Sequence, residues 1–387
     1  ARESHISSSL VFVDLIQAFA SMIRKVCLRD PCGDEQWLAA LRQAGFPEED
    51  VYEIYHAISS SIEWLEDDPL TGTSYTNSYP FAFSASVYRN SWFSTESLLH
   101  VVKSNRGSGA GTPLADVIFA LSISRVLHGL RIRLEADGLL TTVVDPDGRP
   151  LVFSDISYHD DLVIPCVAPA SEIVSKTSAV AAVALYVFKC FGYSLNFTKG
   201  KTEAIVIFAG RGMREASQAL CLADYSVPVV SDCGNTTLKF VSTYKHLGST
   251  SAIAKSCTEE VNIRCGIIAA ETKRLKHRVL LSPALSLKTK INICKGYVFS
   301  KGNYNCGTWP PLLRSSAKKF HNAIMHLYRA AVGNCFVKGS DNSHLLPDND
   351  ILSNHSFCSP AALIRLSRVS LLTRIICKNS AYVLGLV

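Results

Sequence analysis

Ser157-Tyr158-His159-Asp160-Asp161-Leu162-Val163-Ile164 is the stretch on which the reading of this chain turns. An acid pair stands directly before an apolar, β-branched run, and Leu151-Val152-Phe153 lies shortly upstream. Residues 151–165 therefore read as two β segments around a short acidic tip. Adjacent aspartates repel one another, and placing them against apolar strands adds a desolvation penalty. Asp is also common in turns, so for an isolated Asp-Asp the turn is the simpler reading. A second acid interrupts strand-like sequence at Phe12-Val13-Asp14-Leu15. If the strand carrying Asp14 lies beside the hairpin, three carboxylates converge, and a divalent cation relieves both repulsion and desolvation. Hard oxygen ligands suit Mg²⁺. Two such ions about 4 Å apart activate an attacking oxygen and stabilise a leaving one in an in-line phosphoryl displacement.

Outward from these acids, Ser8 to Leu15 reads as a short strand. Trp37 to Leu41 and Val51 to Leu65 have helical spacing, separated by Gly45-Phe46-Pro47. Pro69 to Asn105 is rich in Ser, Thr, Tyr, Pro and Asn and reads as loop or irregular hairpin. Arg106 to Gly111 is a glycine-rich turn, and Thr112-Pro113 leads into a helix from about Leu114 to Leu134. Asp145-Pro146-Asp147-Gly148 is a hairpin turn signal. Glu172 to Phe191 is helical and apolar over a wide face. Ala204 to Phe208 reads as a strand and Lys239 to Leu247 as another strand or hairpin. From Lys255 onward the pattern is helical and basic. The order predicts an α+β fold, an antiparallel sheet with helices on one face. Parallel crossover units would need more strands than are visible.

The chain has 387 residues, of which 48% are hydrophobic and 19% charged, enough to bury a sizeable core and too apolar for disorder. Two or three domains are expected. The most apolar run, Ala179 to Tyr193, is interrupted by Lys189 and falls short of the roughly 18 residues of a spanning helix. Leu114 to Leu130 carries Asp116 and Arg125, so no membrane is expected. No basic-then-apolar leader opens the chain, and a first residue Ala1 rather than Met suggests a fragment. The 13 cysteines are too sparse for a disulfide scaffold and form no Cys-x-x-Cys pair. Cys27 with Cys32 and Cys257 with Cys265 do not have zinc-site spacing. Reduced thiols in a nuclear or cytoplasmic protein are expected. The net charge of +6 is unevenly spread. Residues 251–387 hold 19 Lys and Arg against 6 Asp and Glu, whereas residues 1–250 hold 20 against 27. A basic lobe joined to an acidic one suits a polyanion ligand and a carboxylate-rich metal site. A solvated basic helix surface gives the same charge.

Five segments then carry a resemblance. Phe12-Val13-Asp14-Leu15-Ile16-Gln17-Ala18-Phe19 resembles motif A of the reverse transcriptases of non-long-terminal-repeat (LINE-type) retrotransposons. Gly109-Ala110-Gly111-Thr112-Pro113-Leu114-Ala115-Asp116 with Phe119 resembles motif B, and Tyr158-His159-Asp160-Asp161 the Tyr-x-Asp-Asp box of motif C. Gly192-Tyr193-Ser194-Leu195-Asn196 through Lys201-Thr202-Glu203 resembles motif D. Tyr244-Lys245-His246-Leu247-Gly248 resembles motif E, the primer grip. Each is weak alone; the order and gaps give the signal, over about residues 8–250. A weaker likeness runs through Leu287-Lys288-Thr289-Lys290 and Trp309 to Tyr328-Arg329, as in the helical thumb.

The resemblance implies a polymerase palm of ferredoxin or RRM type with partial fingers over residues 1–250. A helical thumb over 251–335 and a C-terminal extension of unassigned role over 336–387 would follow. It implies an RNA-directed DNA polymerase that extends a DNA primer on an RNA template with deoxynucleoside triphosphates. Two Mg²⁺ ions, or Mn²⁺, would be bridged by Asp14 and Asp160, with Asp161 in support and the Leu15 carbonyl as a further ligand. Phe19 would lie under the sugar and exclude a 2′-hydroxyl; packing in the core is the alternative. Tyr158 and Gly111 would adjoin the nucleotide, and Gly109 the template. Lys199 or Lys201 would protonate the leaving pyrophosphate, and the spacing leaves the choice open. Tyr244, Leu247 and Gly248 would hold the primer. Lys273, Arg274, Lys276 and Arg278, then Lys288, Lys290, Lys295, Lys318 and Lys319, would follow duplex phosphates. Tyr297, Tyr304 and Trp309 are expected to pack in the thumb core. Asp116 and Asp155 read as structural.

Three departures stand out. Thirteen residues precede Asp14, so most of the basic fingers are expected to be missing and the chain to be part of a longer polyprotein. Ala110 stands where most relatives have Gln, which bears on template contact. No endonuclease is evident, and Cys335, His344, His355 and Cys358 have poor spacing for a metal. The competing reading is a degenerate retroelement piece that keeps the fold and binds nucleic acid without catalysis. A related RNA-templated RNA polymerase is a third, disfavoured by Phe19 and Tyr158.

Overall fold

Alternate residues of strand β1 (Ser7–Val13) build two buried layers at once. Val11 and Val13 face one way and join Leu162, Ile164, Ala204 and Val206 in a shared core. Phe12 faces the other way, paired across the sheet with Val163, and both are buried as well. A strand covered on both faces reads as a continuous apolar run rather than an alternating one. That is why residues 162–164 are apolar without interruption. Each such side chain contributes about 1.5–3 kcal/mol on burial.

This computed structural model describes residues 6–21, 42, 47–49, 51, 92–93, 102–103, 107, 115–144, 150–253, 257–333, 336–338 and 343–377. The chain divides into two compact units, Ala1–Ser242 and Thr243–Val387. The further strands of the first unit are Leu15–Ile16 (β2), Trp92–Phe93 (β3), Val102–Lys103 (β4), Thr141–Val144 (β5), Pro150–Phe153 (β6), Ile156–Tyr158 (β7), Asp161–Ala168 (β8), Ser194–Leu195 (β9), Glu203–Ile207 (β10), Ser226–Ser231 (β11) and Gly234–Phe240 (β12). Its described helices include Ala18–Ser21 (α1), Ala115–Ala136 (α2), Ile173–Cys190 (α3) and Met213–Leu222 (α4). Six strands form one sheet in the order β11-β12-β10-β1-β8-β7. The helices expected over 37–41 and 51–65, and the tip Asp145–Gly148, fall almost wholly outside the described residues. The strands flanking that tip, β5 and β6, do pair antiparallel.

The molecule is mixed α and β, and the sheet is mixed too, which corrects the all-antiparallel expectation. β10 and β12 run parallel, with Ala204 opposite Phe240, while the other pairs of this sheet are antiparallel. The chain leaves β10, crosses through α4, and returns along β11 before entering β12. This crossover is hard to see in sequence. β11 carries Pro228, tolerated because the strand lies at the sheet edge. β12 contains Asn235, Thr236, Thr237 and Lys239, which break the apolar alternation.

α3 lies across the sheet, packed on β1, β8 and β11, with α2 against it. Ile173, Thr177, Val180, Ala181, Ala184, Val187 and Phe188 are its buried positions, a 3.6-residue stripe. α3 is the described helix long and apolar enough to cross a membrane, and half of it is buried within this unit. The polar start of β1 is satisfied internally: Ser9 Oγ lies 2.5 Å from Thr177 Oγ1, and the Ala209 amide donates to Ser7 Oγ at 2.9 Å. Nearby, burial pushes the Cys166 thiol up to about 11, so it stays protonated.

The second unit begins with the hairpin Thr243–His246 (β13) and Ser249–Ala252 (β14). Helices Thr258–Leu275 (α5), Leu287–Cys294 (α6), Arg314–Val332 (α7), Asp348–Asn354 (α8) and Pro360–Cys377 (α9) follow, with the small hairpin Phe336–Lys338 (β15) and Ser343–Leu345 (β16) between α7 and α8. Ser286 caps α6 by accepting from the Thr289 amide at 3.1 Å. Val261, Ile268, Leu280, Val298, Phe320, Ile324 and Leu327 fill the core. Ile351 and Ile364 belong to the same core, so the residues after 335 are integrated with it. Trp309 is buried there, as expected, but Tyr297 and Tyr304 are 61% and 45% exposed, against expectation. Tyr304 has a different task, described below.

Candidate active site

Strand register sets two of the predicted acids at the same end of neighbouring strands. The last pair of β1 with β8 is Val13 opposite Leu162, so Asp14 directly follows β1 at the end where Asp161 begins β8. Tyr158 pairs with Asp161, leaving His159 and Asp160 as a two-residue hairpin loop. His159 has φ 54°, a left-handed conformation that a hairpin of this length requires at its first loop position. Asp160, His159 and Tyr158 are exposed, with Tyr158 62% exposed, and Asp161 is half-buried.

Motif D closes on Asp14 from the other side. β9 pairs with β2, so Leu195 lies opposite Leu15 and the chain turns at Asn196 next to Asp14. The Asn196 amide nitrogen donates to the Asp14 carbonyl at 2.9 Å. The Asn196 side chain donates through Nδ2 to Asp14 Oδ2 at 3.3 Å. Thr202 clamps the same residue: its Oγ1 accepts from the Asp14 amide at 3.1 Å and donates to the Asp14 carbonyl at 3.3 Å. Lys201 Nζ reaches Asp14 Oδ1 at 3.2 Å. Lys199 is exposed two residues earlier. Between them Gly200, at φ 81°, turns the chain and gives its amide to Glu203 Oε1 at 2.8 Å. Asn196 and Thr202, read in the sequence as part of the motif D-like segment but given no role there, are thus the neighbours that hold Asp14.

Motif B meets motifs A and D in the core. The Phe19 ring lies 4.5 Å from that of Phe119, which stands edge-on to Tyr193 at 6.2 Å. Tyr193 in turn pairs its hydroxyl with Ser122 at 2.7 Å. Phe19 is half-buried, so it packs on the core while keeping one side open. Gly109 and Gly111 lie outside the described residues. Gly107, just before them, does not: a Cβ there would sit 2.8 Å from the Phe19 carbonyl oxygen. Only glycine permits that approach of the glycine-rich turn to motif A. Asp155 has a structural task, its wholly buried side chain receiving both Nε and Nη2 of Arg131 at 2.7 and 3.0 Å. Asp116 is exposed at the start of α2.

The remaining expected residues belong to the second unit. Leu247 and Gly248 form the two-residue loop of the β13–β14 hairpin, with φ 48° and 74°, the two left-handed positions of a type I′ turn. Tyr244 lies on β13 opposite Ser251. The loop is braced: Tyr304 Oη donates to the Leu247 carbonyl at 2.8 Å, and Arg264 Nη2 donates to the Gly248 carbonyl. Arg264 is buried and ion-paired with Glu260 at 2.6 Å, and Glu260 also accepts from the Thr250 amide at 2.9 Å. Lys273 and Arg274 near the end of α5, and Lys276 and Arg278 in the π turn Lys276–Leu280, are all exposed.

For Mg²⁺ or Mn²⁺ the donor chemistry fits: three carboxylates are hard oxygen ligands. A cation already stands on one of them, the Lys201 ammonium on Asp14. Among the described residues no three Asp, Glu, His or Cys side chains are gathered into a metal-holding group. Both Asp14 carboxylate oxygens are instead taken up by Lys201 and Asn196. The same limit applies to cysteine and histidine, where the described cysteines are free thiols. A scan of the chain against protein-family models gives no match, and a search of curated proteins gives none either.

Proposed function

We propose that the chain is an RNA-directed DNA polymerase of the reverse-transcriptase kind, with its first unit acting as palm and its second as thumb. The observation that carries the reading is the register of β1 on β8, which puts Asp14 just past the end of β1 and Asp161 at the start of β8, the end at which Asp160 lies in the hairpin loop. Contacts among the segments resembling motifs A, B and D add to it, because unrelated surface segments have no reason to meet in one core.

In this reading Asp14 and Asp160 hold Mg²⁺, with Asp161 beside them and the Leu15 carbonyl available. Bound there, the metal supplies activation of the primer 3′-hydroxyl and charge neutralisation at the leaving pyrophosphate. The chain's own groups do the rest. Thr202 and Asn196 fix the backbone of Asp14, so its carboxylate needs little reorganisation. Phe19, held by Phe119, fills the place where a 2′-hydroxyl would go and selects deoxynucleotides. Lys201, beside Asp14, is the first candidate proton donor for pyrophosphate, and the exposed Lys199 the second. Tyr158 and the glycine-rich turn flank the nucleotide. Leu247, Gly248 and Tyr244 hold the primer, and the exposed cations of α5 and the turn after it follow duplex phosphates without reading sequence.

A second reading, nucleic-acid binding without catalysis, is favoured by one observation: Asp14 is engaged by Lys201 rather than gathered with Asp160 and Asp161. Primer extension on poly-rA with oligo-dT and Mg²⁺ separates the two. The expected result is extension by the wild type and a loss of about a hundred-fold or more in Asp160→Asn, with duplex affinity within a few fold. Near-normal extension by that variant removes the two-metal assignment. An inactive wild type that still binds duplex supports the second reading.

A further inference from the structure

We propose that Lys201 is a resident counter-ion that competes with the divalent metal for Asp14, so that loading the metal frees the Lys201 ammonium for the triphosphate. The inference rests on the reading of Asp14 as a metal ligand and adds to it an order of events. Three observations carry it. Lys201 Nζ lies 3.2 Å from Asp14 Oδ1, with Asp14 27% and Lys201 48% exposed, so the pair is open to an incoming ion. The partner oxygen Oδ2 accepts from Asn196 at 3.3 Å, so both carboxylate oxygens already carry a donor, and the one on Oδ1 is a cation. The peptide around Lys201 is anchored on both sides: the Thr202 amide donates to the Asn196 carbonyl at 2.7 Å, and Thr202 Oγ1 bonds both backbone groups of Asp14.

Those anchors define what moves. The loop Asn196–Thr202 stays on Asp14, and only the lysine side chain swings. A dication on Oδ1 would sit closer to that oxygen than the ammonium does and repel it as a like charge. A long flexible side chain on a fixed Cα then has only a short arc to search, and the strongest new anion within reach is the nucleotide's phosphates. Metal and nucleotide binding are coupled in this way through a single side chain. Without metal the same lysine offsets the charge of Asp14.

The test is Mn²⁺ titration of the full chain without nucleotide, read by the electron paramagnetic resonance signal of free Mn²⁺. Wild type, Lys201→Met, Lys201→Arg and Asp14→Asn are compared. Lys201→Met is expected to bind Mn²⁺ about five-fold tighter, the equivalent of losing one half-exposed competing ion pair. Lys201→Arg should return the affinity to the wild-type value, and Asp14→Asn should abolish the site. Extension by Lys201→Met should fall although its metal binds better. Unchanged or weaker Mn²⁺ binding by Lys201→Met, while Asp14→Asn still loses the ion, overturns the competition alone. Wild-type Mn²⁺ binding by Asp14→Asn, or no binding by any of the proteins, overturns the metal reading and the competition together. Lys201 is half exposed, and an unchanged melting temperature checks that each variant is folded.

Discussion

Among the described residues two tight hairpin tips carry a non-glycine residue in the left-handed region, and they are secured in opposite ways. At Leu247–Gly248 both loop carbonyls are taken, one by Tyr304 and the other by Arg264, which is itself ion-paired with Glu260. At His159–Asp160 the loop and the preceding Tyr158 are exposed, and Tyr158 and His159 meet edge-on at 5.0 Å. The first tip is finished by the protein itself. The second leaves Asp160 exposed and Asp161 half-buried. In the proposed polymerase a rigid tip would suit a surface that guides a duplex, and an open one would suit chemistry.

The contrast is broken most severely by removing the brace. Glu260→Ala leaves Arg264 buried without its partner and should destabilise the second unit by about 3 kcal/mol or more. Urea denaturation followed by fluorescence of Trp309, which is buried in that unit, measures it. A change below about 1 kcal/mol would mean that the pair does not hold the hairpin. Leu247→Asn is expected to act the other way. Leucine is strained at φ 48°, asparagine tolerates that region, and Asn-Gly is the preferred type I′ pair. A gain of about 1 kcal/mol follows, read as a higher urea midpoint. Loss of stability would show that the Leu247 side chain packs more than it strains. The smallest effect belongs to the open tip. His159→Asn, at φ 54°, should change stability by only about 0.5 kcal/mol, since histidine is already among the residues enriched there. A large change in that variant would reveal hidden bracing of the His159–Asp160 tip and erase the contrast.

These differences also mark what the sequence makes readable. The central strands were legible because burial on two faces leaves an uninterrupted apolar run, and the hairpin because an acid pair ends one. The crossover through α4 and β11 was not, since an edge strand with Pro228 and a half-exposed partner strand leave little hydrophobic signal. Asp14 and the acids of the hairpin were legible as interruptions of apolar sequence. That Lys201 rather than Lys199 pairs with Asp14 was not, because it depends on the left-handed turn at Gly200, and periodicity does not report a single dihedral angle. Tyr304 was assigned to the core because aromatic residues in helical segments usually go there. Its phenol instead spans 57 positions of sequence to reach Leu247. Glu260 and Arg264 at i and i+4 look like an ordinary surface pair, and only burial makes them a brace.

Thr202 immediately precedes β10, and Asp14 immediately follows β1, two strands paired along five positions in the middle of the sheet. The clamp between them therefore has no hinge of its own. Amide exchange at Asp14 and Thr202 should follow the slowest protons of the first unit, because opening the clamp means parting the central strands. Heat or denaturant would abolish the anchoring of Asp14 in the same cooperative step that melts the sheet.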